Sequence, residues 1–263
     1  MFPRLAQFGS LTIPTYSALI AFGLVLGMLL AVRTSRRLGL DADAIWSVVF
    51  LAIASYIVGG RVVLFVTHWR ELVQYPALLL VVNSHSPAVL YGGIGVALAV
   101  TAVSLWRHPL PLRRTLDALA APAALAAAMG CVGAFGGGAE YGTATTVPWA
   151  VTFHSRYALM WAGTPLNMPL HPVQLYQAAI DLLLCGFLLI LLRMRHRDGE
   201  VFGAWLFLAG IARFVLEFYR GNRGVEFFGG LLDLTQVAAL AMIAAGGILW
   251  MHLDSRETRN YAI

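Results

Sequence analysis

Seven stretches of this chain are almost continuously apolar: Tyr16 to Val32, Ile45 to Val66, Ala88 to Trp106, Ala118 to Phe135, Pro172 to Leu192, Phe202 to Tyr219 and Leu231 to Met251. A helix crossing ~30 Å of hydrocarbon needs about 20 mostly apolar residues. Each stretch meets or approaches that length. Barrel strands are shorter and alternate in polarity, so the runs predict helices, one of the two structures that satisfy their backbone inside lipid. The expected architecture is an all-α polytopic membrane protein with about seven transmembrane helices, residues 1–263 forming a single membrane domain.

The polar segments between the runs orient the bundle, because cytoplasmic loops carry the excess of positive charge. Arg33, Arg36, Arg37, Arg107, Arg113, Arg114, Arg193, Arg195, Arg197, Arg256 and Arg259 fall on one side, eleven in all. Arg4, Arg70, Arg156, Arg220 and Arg223 fall on the other, five in all. The richer side is expected to be cytoplasmic, with the N-terminus outside and the C-terminus inside. The first run has no small-residue cleavage site and leads into Arg33-Thr34-Ser35-Arg36-Arg37, so it reads as a retained anchor. Two outer segments are long. Thr67 to Pro87 carries the interfacial anchors Trp69, Arg70 and Tyr75. Residues 136–171 are expected to form a small extracytoplasmic cap, since connections of that length are usually functional.

Composition narrows the class. Hydrophobic residues make up 59% of the chain and charged residues 12%, against about 25% charged in a soluble domain. That excludes a soluble enzyme, a disordered protein and a disulfide scaffold. All 18 basic residues are arginine, and their placement follows topology, which argues against nucleic acid as a partner. Cys131 and Cys185 both lie in apolar runs and imply no oxidised framework.

Candidate chemistry lies in the ionisable groups inside the spans, each costing ~2.5–3.5 kcal/mol at a helix centre unless it has a partner or a cavity. They are Arg61, Asp181, Arg213 and Glu217. Arg213 and Glu217 are spaced i, i+4 and share a helix face. The pair fits an internal ion pair that sets packing, or an anion site in which Glu217 orients Arg213. Arg220 and Arg223 follow at the same end, and clustered guanidinium groups suit phosphate oxygens. Asp181 is free to pair with Arg61 or with another helix. Gly59-Gly60-Arg61 and Tyr91-Gly92-Gly93 put small residues in two spans, for close helix packing or for approach of a lipid headgroup. The glycine-dense Gly130 to Gly142 closes span four, with Glu140 reading as a solvated loop carboxylate. His171-Pro172-Val173-Gln174-Leu175-Tyr176 opens span five, with Pro172 at a first-turn position.

Taken in order, Gly59-Gly60-Arg61, Tyr91-Gly92-Gly93, His171 to Tyr176 and Arg213-Phe214-Val215-Leu216-Glu217-Phe218-Tyr219-Arg220 resemble the prolipoprotein diacylglyceryl transferases. The resemblance runs from Tyr16 to Gln236. It implies a seven-helix enzyme of the bacterial cytoplasmic membrane that needs no metal or cofactor. Such an enzyme moves the diacylglyceryl group of phosphatidylglycerol to the lipobox cysteine thiol of a prolipoprotein, forming a thioether and releasing glycerol 1-phosphate. Its partners are phosphatidylglycerol, prolipoprotein signal peptides and membrane lipids. Carried over by motif, Arg213, Glu217, Tyr91 and His171 are the implied catalytic residues. Arg61, Tyr16, Gly92, Gly93, Gln174, Tyr176, Arg220 and Gly142 are the implied substrate-binding residues. The chain departs from the family's Gly-Arg-x-Gly-Asn at Cys131 and Ala134, and has Tyr91 where many members have histidine. The departures leave a second reading open: a diverged paralogue acting on another acceptor, or a non-catalytic phospholipid-binding protein. Tyr91, His154 and Arg220 are the candidates for restoring the missing groups.

Overall fold

A computed structural model of the chain describes residues 4–8, 11–74, 87–108, 110–221, 226–227 and 232–257. Tyr75, Arg223 and Arg259 lie outside them. Every apolar run is helical: α1 Thr15–Arg37, α2 Ala42–Thr67, α4 Pro87–Arg107, α5 Leu112–Gly137, α7 Val173–Met194, α8 Glu200–Glu217 and α9 Leu234–Glu257. Two short helices, α3 Trp69–Gln74 and α6 Arg156–Ala162, and three two-stranded antiparallel pairs complete the fold. The pairs are β1 Arg4–Phe8 with β2 Leu11–Pro14, β3 Val151–Thr152 with β4 Pro169–Leu170, and β5 Glu226–Phe227 with β6 Leu232–Asp233. Among the described residues five helices are long and apolar enough to cross a membrane: α1, α2, α5, α7 and Leu234–His252 of α9. Their exposed side chains include Phe22, Leu29, Phe50, Ile57, Leu183 and Ile190. Surfaces that apolar belong against lipid tails rather than water.

The chain divides into two compact units, Ala31–Thr115 and the remainder, Met1–Leu30 with Leu116–Ile263. In the smaller unit α2 packs on α4 through its glycines. A Cβ on Gly59 would sit 2.6 Å from Val96 Cβ, one on Gly92 would sit 2.4 Å from Val63 Cγ2, and one on Gly93 would sit 2.9 Å from the Tyr56 carbonyl oxygen. Asp41 caps α2, accepting from the backbone N–H groups of Asp43 and Ala44.

In the larger unit α8 lies along α9 by the same device, with Gly203 and Gly210 opposite Gly246 and Ile243. α1 lies against α5, where Gly133 meets the Tyr16 backbone. Asp117 begins the long apolar part of α5 and is fully buried. One of its carboxylate oxygens accepts from the Gly199 N–H at 2.7 Å and from Arg195 at 3.2 Å. The other accepts from the Phe202 N–H at 2.9 Å. An α5 side chain therefore caps the first turn of α8, where α8 has no cap of its own.

Residues 138–172 fold over a small core of Phe153, Ala158 and Leu170, against which Tyr141, Val151 and Leu166 pack. Gly138 begins the segment in the left-handed region (φ 79°), and its carbonyl accepts from Thr164 Oγ1 at 2.5 Å. The backbone then runs antiparallel to two neighbouring segments. Gly142 bridges Arg220 on one side, while Ala144 bridges Leu170 on the other. The pairing is closed by Thr143 N–H to Tyr219 O (2.8 Å), Gly221 N–H to Tyr141 O (2.9 Å) and His171 N–H to Thr143 O (3.0 Å). These bonds tie the end of α8 to the start of α7 through one strand-like segment.

Candidate functional site

That tie creates a polar cleft. Glu140, Val173, Gln174, Gln177, Arg213, Leu216, Glu217 and Arg220 line a small cleft within the larger unit. α7 contributes Gln174 and Gln177, one face of its first turns. α8 contributes Arg213, Leu216 and Glu217, spaced so that all three face α7. Arg220 lies past the helix end, where the bridge to Gly142 turns its guanidinium back over the cleft.

Arg220 donates to Glu140 and, at 3.4 Å, to Glu217. Glu217 is 3% exposed, and its ion-pair partner is therefore Arg220 rather than the Arg213 expected from the i, i+4 spacing. The reason is geometric. Arg220 is three residues on and held by a backbone bridge, whereas the half-buried Arg213 points into the cleft a full turn earlier. Among the described residues no carboxylate closes an ion pair with Arg213. Its five donors are available to an anion. Gln177 donates to Asp181 at 2.9 Å on the same face of α7.

Gln174 donates to the Ala139 carbonyl at 2.6 Å, while its own carbonyl oxygen is buried without a partner among the described residues. A buried acceptor left bare is costly, and in a wall of a polar cleft it marks a place for a ligand donor. His171 and Tyr176 are not among the lining residues. Tyr176 Oη accepts from Trp149 Nε1 at 2.6 Å and lies 3.3 Å from His171 Nδ1, and the His171 ring meets Tyr219 edge to face at 5.4 Å. Pro172 takes the cap position of α7 rather than its first turn. Gly142 is buried where a side chain cannot fit, since its Cβ would lie 2.3 Å from the His171 carbonyl oxygen.

The remaining expected residues fall elsewhere. Tyr16 packs on Gly133 and Gly137 of α5, in the same unit but off the cleft lining. Arg61, Gly92 and Gly93 belong to the smaller unit. A Cβ on either Gly92 or Gly93 would meet α2, at Val63 and Tyr56 respectively. Tyr91 is on α4, with its side chain outside the described residues. His154 is exposed and 2.8 Å from Asn167 Oδ1, away from the cleft lining. Cys131, the position departing from the family motif, is a half-buried free thiol on α5. Four residues were not marked as site residues by sequence, Glu140 and Gln177 in the cleft lining and Asp233 and Gln236 outside it. Glu140, at φ 55°, is a partly exposed carboxylate that also pairs with Arg220. Gln177 shows only as a polar residue four before Asp181. Asp233 and Gln236 form a reciprocal capping box at the start of α9 (2.7 and 3.2 Å), legible as Asp-x-x-Gln before an apolar run.

The long apolar helices define the class: a multi-pass helical membrane protein, in which, among the described residues, Arg213 lines the cleft with no ion-pair partner. The comparisons specify it further. Residues 3–252 match the sequence model of the prolipoprotein diacylglyceryl transferases, and the chain belongs to that family. It is 30% identical over 249 residues to the phosphatidylglycerol–prolipoprotein diacylglyceryl transferase of Clostridium tetani, covering 94% of this chain and 95% of that one. It is 30% identical over 259 residues to the Tolumonas auensis protein of the same name, covering 97% and 96%. It is 27% identical over 258 residues to the Clostridium perfringens protein named as transferase 2, again covering 97% and 96%.

Proposed function

We propose that this protein transfers the diacylglyceryl group of phosphatidylglycerol to the cysteine thiol of a prolipoprotein in the bacterial cytoplasmic membrane. The observation that carries the reading is Arg213: it lines the cleft with no ion-pair partner among the described residues, while Arg220 occupies the carboxylates on either side. The two non-bridging oxygens of a phosphodiester can both accept from one guanidinium fork. The sulfur, as thiolate, attacks the terminal glycerol carbon that bears the phosphate. The C–S bond forms, the C–O bond breaks, and glycerol 1-phosphate leaves with the charge stabilised by Arg213. The proton lost by the thiol ends on the departing phosphate or in solvent. Gln174 offers its bare carbonyl oxygen to a headgroup hydroxyl. His171 and Tyr176 shape the mouth, and Tyr91 and His171 are the candidates for moving the proton.

The reading includes seven spans, with α4 and α8 joining the five apolar helices, the N-terminus outside and the C-terminus in the cytoplasm. Residues 138–172 then form the outward cap over the cleft mouth. The arginine asymmetry and the tie between α7 and α8 support this arrangement. The test is direct: the protein in lipid nanodiscs receives phosphatidylglycerol labelled in its headgroup and a lipobox peptide. Release of labelled glycerol phosphate together with a mass gain on the peptide is expected. Binding of the lipid without either product would replace the transferase with a non-catalytic phospholipid-binding protein.

A further inference from the structure

Two polar groups on facing helices of the cleft have opposite and unmet needs. Arg213 of α8 offers only donors and, among the described residues, closes no ion pair. Gln174, in the first turn of α7 and 2% exposed, has one end of its amide bound and the other bare. Its Nε2 donates to the Ala139 carbonyl at 2.6 Å, while Oε1 is buried with no hydrogen-bond partner among the described residues. Turning the amide over brings no relief, because it sets carbonyl against carbonyl at Ala139. Gln174 is therefore locked in place as an acceptor. The other polar groups of the lining are occupied: Glu140 and Glu217 pair with Arg220, and Gln177 donates to Asp181 at 2.9 Å.

A buried acceptor without a donor carries the full cost of its lost hydration. A ligand donor placed on it therefore gains more than the same bond gains in water. One molecule meets both needs when it carries an anion and, a few bonds away, a neutral donor. The phosphoester of a polyol has that form. A phosphoester whose headgroup has no hydroxyl serves Arg213 alone. An ammonium headgroup brings three donors and a strong hydration shell to a place with one free acceptor.

Resting on the phospholipid reading of the cleft, we propose that Gln174 is a specificity-determining residue: with Arg213 on the phosphate, Gln174 Oε1 accepts from a headgroup hydroxyl, so the enzyme selects a hydroxylated phosphoester over one without the hydroxyl. The group being read is the one that departs, not the diacylglyceryl group that is transferred. Selection therefore acts between lipids with identical tails. The released glycerol phosphate keeps phosphate and hydroxyl together and competes for the same two groups.

The experiment compares phosphatidylglycerol with phosphatidylpropanol, which has the same tails and a three-carbon headgroup without hydroxyls. Both lose an alkyl phosphate, so the bond broken is the same. The full chain in nanodiscs with a lipobox peptide is expected to favour phosphatidylglycerol in kcat/KM by about tenfold, the effect of one buried bond whose absence leaves an acceptor bare. In Gln174→Leu the preference is expected to shrink to about twofold or less, through loss on phosphatidylglycerol. A purely structural role for the bond to Ala139 would lower both lipids together and keep the ratio. That result, or a wild type that uses the two lipids equally, overturns the proposal. Glycerol 1-phosphate is expected to inhibit transfer more strongly than propyl phosphate, and equal inhibition overturns it as well. Binding of the two lipids in short-chain form, without peptide, separates this proposal from the reading beneath it. A binding preference for phosphatidylglycerol without transfer from either lipid leaves the selection standing and refutes the transferase. Equal binding of both lipids, or binding of neither, refutes the selection.

Discussion

Replacing Gly142 with alanine should break the tie between α7 and α8. The added Cβ would lie 2.3 Å from the His171 carbonyl oxygen, 2.7 Å from His171 Cβ and 2.8 Å from Val173 Cγ2. Two of these neighbours belong to the backbone or to a Cβ and cannot rotate away. Forcing volume into such a site costs about 1–3 kcal/mol. Relief requires the 141–143 segment to move off Pro169–His171 and Tyr219–Gly221, straining three backbone hydrogen bonds worth roughly 0.5–1.5 kcal/mol each. Either route gives a loss of about 2–4 kcal/mol. At roughly 2–4 °C per kcal/mol for a domain of this size, the melting temperature in detergent should fall by about 5–15 °C. Transfer should fall further than stability explains. The same movement displaces Arg220, which holds Glu217, and a misplacement near 1 Å costs on the order of 100-fold in rate. Gly186→Ala is the matched control, because nothing lies within 4 Å of its Cβ on α7. It should be neutral or slightly stabilising, by about 0.5–1 kcal/mol. A Gly142→Ala protein that melts and transfers like the Gly186→Ala protein would refute the reasoning.

Other consequences test other parts of the fold. Asp117→Ala removes one of the two carboxylate partners of Arg195, leaving Asp198, and uncaps α8. Breaking a buried, multiply bonded charge should cost about 3–5 kcal/mol, read as a lower melting temperature, with the transfer rate per folded molecule changed far less. Gln174→Leu removes both the 2.6 Å bond to Ala139 and the bare acceptor. It should raise the KM for phosphatidylglycerol several-fold, and an unchanged KM would remove Gln174 from the lipid contacts. Trp149→Phe deletes a hydrogen bond on an exposed ring, so stability should change by less than about 1.5 kcal/mol and transfer by less than about threefold.

The helices were legible because lipid imposes one rule over long windows, and each apolar run became a helix within a few residues of its expected ends. The pairing of charges was not. The spacing of Arg213 and Glu217 correctly put them on one face, but spacing cannot show that the chain turns at Phe218 and returns Arg220 over Glu217. Asp117 meets partners more than 80 residues away, and no local pattern encodes such a contact. Glu140 looked solvated because glycines precede it. The strand-like segment that follows is what presses it against Arg220. The Asp233–Gln236 box, by contrast, was legible in the sequence as a cap. Gly92 and Gly93 illustrate the opposite case: the residues of the motif fit a headgroup or a helix equally well, and only the structure shows that a Cβ on either would meet α2.

The central claim is that Arg213 receives the phosphate of a glycerolipid on the way to a thioether. A strain depleted of its own diacylglyceryl transferase measures this most directly, when supplied with the wild-type chain or with Arg213→Ala at equal membrane abundance. The account predicts that the wild type restores growth and prolipoprotein modification and that Arg213→Ala restores neither. Equal rescue by both proteins would contradict it.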